Sequence, residues 1–144
     1  MHRWTSQPLS VPIRTGWKRA DLEFEGVEHD GASFLVHLFF NNTQADASTP
    51  RTDDERYAGY LTVFAHGDCW GDVGHCELPT KLGPFDHRPP HPLVPFNATL
   101  EVTDALRALP DPADQITVTA LAFNQHGDDA GVLRFKQLTL LTYA

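Results

Sequence analysis

Seven consecutive residues, Phe34-Leu-Val-His-Leu-Phe-Phe40, set the tightest limit on what this chain can fold into. They lie in a stretch that reads as a strand over residues 33–41. Side chains alternate along an extended chain, so Phe34, Val36, Leu38 and Phe40 fall on one face and Leu35, His37 and Phe39 on the other. A strand that is apolar on both faces has no side to give to water. It has to be central and covered twice. His37 is then either a core histidine bonded to a neighbour or a ligand.

The rest of the chain reads as partners for that strand. Over residues 17–28, Leu22 and Phe24 alternate with Asp21, Glu23 and Glu25, the pattern of a half-buried strand. His29-Asp30-Gly31 supplies a turn. Residues 57–66 form a third strand, with Tyr57, Gly59, Leu61, Val63 and Ala65 on one face and Tyr60, Thr62, Phe64 and His66 on the other. Gly59 predicts a bulge or a close backbone approach. Residues 99–102 are a short strand, and 103–109 a helical turn with Thr103 placed to cap it and Pro110 to end it. Residues 115–124 and 133–143 are further strands, joined through a hairpin tip at 127–131. A phase shift at Gln137-Leu138 predicts a bulge in the last one. Residues 1–16 are polar, with Pro8 and Pro12, and read as an arm along the body with a short edge strand at 9–14. Residues 17–144 read as one domain. The class expected is an antiparallel β-sandwich or flattened barrel of about six to eight strands with one short helix.

Two segments are left over. Residues 41–56 make a long polar loop, either a mobile surface or a partner-facing one. Residues 64–76, Phe-Ala-His-Gly-Asp-Cys-Trp-Gly-Asp-Val-Gly-His-Cys, hold both cysteines of the chain. A proline-rich crossover over 80–95 follows and carries His87 and His91. Three readings of the Cys/His turn are open. Cys69 and Cys76 form a disulfide, with Gly71 and Gly74 permitting the tight path. Alternatively, the two thiolates and some of His66, His75, His87 and His91 bind copper or zinc. In the third, the cysteines are free and the turn is only a glycine-rich loop. Trp70, at the tip between two glycines, and Phe85, at the head of the crossover, are candidate partner contacts.

The net charge of -8 argues against nucleic acid and against anionic membranes as partners. No apolar run approaches the ~20 residues of a membrane span. No signal peptide is visible at the start, so the expected location is cytoplasmic, or outside through export with a partner.

The order Leu22-Glu-Phe-Glu-Gly-Val-Glu28, Val36-His-Leu-Phe-Phe-Asn-Asn42, Tyr57-Ala-Gly-Tyr-Leu-Thr-Val-Phe-Ala-His66, Gly74-His-Cys76, Arg88-Pro-Pro-His-Pro-Leu93 and Thr103-Asp-Ala-Leu106 resembles a known domain. It is similar to the β-sandwich that follows the catalytic helical bundle in bacterial tyrosinase-like and haemocyanin-like type-3 copper proteins. The similarity runs over residues 20–143. The catalytic domain of that family binds copper through histidines on paired helices. Here His87-Arg-Pro-Pro-His91 cannot lie on a helix, because two prolines forbid it. The resemblance therefore implies a non-catalytic accessory domain that shields or assembles a copper oxidase partner and handles copper. In that family a side chain of the tail plugs the substrate pocket. A small stand-alone copper or zinc enzyme using the His/Cys cluster, and a binding module with a structural disulfide, are the rival readings.

Overall fold

In the computed structural model, residues 1–12, 15–65, 83–85, 87, 93–110, 114–124 and 133–144 are described. The element order is β1 (His2–Thr5), β2 (Leu9–Ser10), β3 (Arg19–Val27), β4 (Phe34–Phe40), a 3-10 turn (Asp53–Glu55), β5 (Tyr57–Val63), β6 (Phe96–Glu101), α1 (Thr103–Arg107), β7 (Gln115–Ile116), β8 (Val118–Asn124) and β9 (Gln137–Tyr143). All pairings are antiparallel. One sheet has the order β1-β8-β4-β5, the other β6-β3-β9, and β2 and β7 form a small ribbon.

The two sheets face each other across one core. β4 gives Val36, Leu38 and Phe40, and β8 gives Val118, Ala120 and Ala122. Across from them stand Ala20, Leu22 and Phe24 of β3 and Leu138 and Leu140 of β9. Fully buried side chains such as Phe24 and Phe40 each contribute about 2–3 kcal/mol by leaving water. The sandwich is closed along one side by aromatic edges. Phe135 meets Trp4 at 4.9 Å and Phe24 at 5.1 Å, both nearly perpendicular.

β4 is an interior strand, as its two apolar faces require. Its second face is covered too. Phe39 packs with Leu121 and Ala45, and Ala45 belongs to the 41–56 loop. That loop is tied at both ends. The Asn41 side-chain oxygen accepts the Thr117 N–H at 2.8 Å, and Arg56 donates to the Asn41 carbonyl at 2.8 Å. The stretch expected as one strand over 115–124 is broken at Thr117, and the Asn41 side chain accepts the N–H freed by that break.

Gly59 has φ +129° and sits where the β4–β5 register shifts. The expected bulge is therefore present, and it changes the face assignment around it. Ala58 is the extra residue, so Tyr57 lies on the outer face with Tyr60, opposite Phe39 and His37, rather than with Leu61 and Val63. Thr103 does not cap α1. Val102 holds the cap position, and the Thr103 hydroxyl instead accepts the Ala20 N–H at 3.1 Å and donates to Glu101 at 2.9 Å. The bulge expected at Gln137-Leu138 is not there: β9 begins at Gln137 and keeps unbroken register with β3, and the irregularity lies on β3 instead, between Phe24 and Val27. There Gly26, at φ +67°, brings its backbone against Lys136.

A Cβ on Gly59 would stand 3.3 Å from Leu100 Cδ2, in a φ region that L residues rarely adopt. Gly59→Ala should therefore lose about 1–3 kcal/mol. Gly31→Ala, which faces open space, should leave the urea midpoint unchanged.

Candidate functional site

The strand directions bring several chain ends to one end of the sandwich. Phe34 pairs with Val63 and with Asn124, Val27 with Phe96, and His2 with Ala122. The β3–β4 connection, Glu28 to Ser33, sits at that end and grips its neighbours. Ser33 Oγ accepts the Ala65 N–H at 2.9 Å and donates to the Ala65 carbonyl at 3.3 Å. His29 Nε2 contacts the Val94 carbonyl at 2.9 Å, and its ring stands edge-on to Phe96 at 5.3 Å. Glu28 N–H donates to the Arg134 carbonyl, and Asp30 pairs with the Arg134 guanidinium.

Ala65 and Val94 bracket the stretch that carries the Cys/His turn and the proline crossover. Both brackets are held by the same connection, so that stretch leaves and re-enters at one end of the molecule. Phe64, next to Ala65 at that end, is 84% exposed, and Phe85, within the bracketed stretch, is 89% exposed. Phe85, expected as a partner contact, is solvent-facing, and so is His87. His66, Cys69, Trp70, His75, Cys76 and His91 lie outside the described residues. Among the described residues, no three His, Cys, Asp or Glu side chains are grouped to hold a metal. Phe64 did not stand out in the sequence because it continues the period of 57–66. The β5 ladder stops at Val63, one residue before Phe64, whose ring stands exposed.

A second cluster lies on the outer face of the four-stranded sheet. His37 is 8% exposed, and its Nδ1 lies 2.8 Å from the Tyr57 hydroxyl. The histidine is therefore a core residue bonded to a neighbour. Its ring is flanked by Tyr57 at 5.8 Å, Phe123 at 5.9 Å and Tyr60 at 6.2 Å. Burial, and next the charge of Arg51, hold the imidazole below the usual histidine range. Burial pushes the Tyr57 phenol above its usual range.

The fold is the β-sandwich found in polyphenol oxidases of the tyrosinase kind. Two solved proteins show the likeness in numbers. A latent aurone synthase, a polyphenol oxidase from natural source, superposes with a TM-score of 0.60 at 16% identity, over 99% of this chain and 24% of its own. Latent apple tyrosinase superposes with a TM-score of 0.62 at 14% identity, over 99% of this chain and 26% of its own. This chain thus spans about a quarter of the length of either. At such identities the likeness establishes the fold. No protein-family model and no curated protein sequence matches the chain.

Two outcomes follow from the local geometry. Ser33→Ala leaves the Ala65 N–H without its acceptor and should cost about 1 kcal/mol. Amide exchange at Ala65 should quicken, while that at Val36 tracks global stability. The His37 effect has a definite sign. Its folded pKa lies below the unfolded value of about 6.5, so as pH falls the unfolded chain takes the proton first. The stability this group contributes is present above about pH 6.5 and is lost as pH drops through the folded pKa. Urea midpoints measured from about pH 7 down to pH 5 should fall less steeply in His37→Gln than in the parent.

Proposed function

We propose that this chain is a non-catalytic accessory domain for a tyrosinase-type copper oxidase, and that the clamped end of the sandwich meets the partner. The observation that carries this reading is the exposed ring of Phe64 at that end, with Phe85 exposed in the stretch that starts and finishes there. Aromatic anchors dominate binding energy where they insert into a partner. The solved proteins of like fold support the reading. They are described as latent enzymes, and this fold occupies about a quarter of each.

The copper chemistry belongs to the partner on this reading. The described residues do not fit a type-3 copper pair. The only helix among them runs from Thr103 to Arg107, and no donor cluster accompanies it. The part of copper handling proposed for this chain is delivery. His66, Cys69, His75, Cys76, His87 and His91 are the soft and borderline donors that copper(I) takes. All fall between Ala65 and Leu93, the stretch held by the clamp.

Two measurements test this. The chain is titrated into a tyrosinase-type oxidase from the same source while oxygen uptake on a diphenol is followed. The parent should bind and suppress turnover, and Phe64→Ala and Phe85→Ala should each weaken binding by about 1–2 kcal/mol, roughly tenfold. Suppression that is identical in the double variant would remove these rings from the interface, and no suppression by the parent would remove the accessory reading. For delivery, His66→Ala with His75→Ala should abolish copper uptake by tag-free protein and leave thermal unfolding unchanged. Diphenol turnover by the chain alone would support the rival stand-alone enzyme.

A further inference from the structure

The clamped end does not use the His37 cluster, which sits partway along the outer sheet face. We propose that Tyr57 and His37 form a proton-coupled redox site, in which Tyr57 is oxidised by one electron while its hydroxyl proton passes to His37 Nδ1. The Tyr57 hydroxyl and His37 Nδ1 are already 2.8 Å apart, so the proton has a preformed path. On this proposal the phenol donates to Nδ1 and the imidazole carries its own proton on Nε2, since a neutral phenol is a good donor and a neutral imidazole nitrogen a good acceptor. Burial favours this starting state at both rings, phenol protonated and imidazole neutral.

The rings around the pair bear on the oxidised state as well. His37 is buried and Tyr57 partly so, with Phe39 5.3 Å from Tyr57 and Phe123 5.9 Å from His37. A phenol radical cation in such a place would be costly. Losing the proton along the hydrogen bond leaves a neutral radical instead. Tyr60 flanks the same imidazole at 6.2 Å and is 59% exposed, so a solution oxidant can approach the cluster there. Arg51 disfavours a second cation nearby, which returns the proton when the electron returns.

The step balances with a phenoxyl-type radical as oxidant, of the kind formed when the o-quinone released by a diphenol oxidase meets its parent diphenol and one electron passes between them. The Tyr57 O–H bond breaks, and its electron reduces the oxidant to a phenolate, which takes a proton from solvent. Its proton forms a new N–H bond at His37 Nδ1. The products are a phenol, a neutral Tyr57 radical and an imidazolium. The biological setting rests on the accessory reading above, because an oxidase neighbour is the source of such radicals. The redox chemistry does not rest on it and is testable on the chain alone.

The test uses the whole purified chain and photogenerated tris(bipyridine)ruthenium(III) as oxidant, with the radical followed by transient absorption and electron paramagnetic resonance. The parent should give a long-lived neutral tyrosyl radical that forms more slowly in deuterated water. Tyr57→Phe should lose that component, and His37→Gln should lose both its long life and its isotope effect. A signal of parental size in Tyr57→Phe would place the radical elsewhere and overturn the proposal, as would an unchanged lifetime and isotope effect in His37→Gln. Tyr57→Phe removes only a hydroxyl, so it reports even if His37→Gln is unstable. The oxygen-uptake assay with the oxidase is separate, so failure of either reading is visible without the other.

Discussion

Burying β4 on both faces is the constraint that organises this molecule. One face is served by the opposite sheet through Leu22, Phe24, Leu138 and Leu140. The other face cannot be served by a third sheet in a chain of this size. The 41–56 loop covers it, by placing Ala45 against Phe39 and Leu121. This gives a physical reason for the order in a long polar segment. Asp46 accepts from the backbone N–H groups and hydroxyls of Ser48 and Thr49, which fixes the bend beside Ala45. Asn41 and Arg56 take left-handed backbone conformations at the two ends. A loop that looked spare in composition is a structural cover.

That cover divides the protein into surfaces of different character. The outer face of the three-stranded sheet carries Glu23, Glu25 and Glu101, with Arg19 across Asp21 and Lys136 across Glu25. It is an ordinary charged surface. The outer face of the four-stranded sheet is aromatic, and its rings are packed around a polar pair. The clamped end is different again, because Phe64 stands exposed there beside the connection that grips Ala65. Three surfaces of one small sandwich thus have separate physical characters, and a partner would meet them in different ways.

Much of the frame was legible from residue order. The two-faced run at 34–40 gave the interior strand, and the alternation at 22–25 gave its opposite across the core. Gly59 announced its bulge. The consequence of that bulge was less visible, because one extra residue inverts the facing of everything before it, and Tyr57 changed sides. Thr103 looked like a cap because its type and position fit one. Its hydroxyl is used instead across the sheet end, on Ala20, a residue 83 positions away in the chain. Such a long-range claim on a side chain leaves no local signature. The pairing of His37 with Tyr57 was hidden for the same reason. Of the expected site, the exposure of Phe85 and His87 is on view, whereas Phe64 escaped notice. Its exposure depends on where the ladder stops, and composition does not mark that point.

The grip of the Glu28–Ser33 connection on Ala65 and Val94 has a consequence for how such a chain can change over time. A segment whose two ends are fixed to the same short connection between the two sheets is mechanically insulated from the strands behind it. Lengthening a loop between fixed ends costs little, about 0.6 kcal/mol for each doubling. Residues can therefore be inserted, deleted or exchanged between the two anchors without disturbing the register of any strand. The sandwich acts as a socket and the segment as a cassette. One frame could carry recognition segments of very different length and composition, and the frame itself would show little trace of the exchange.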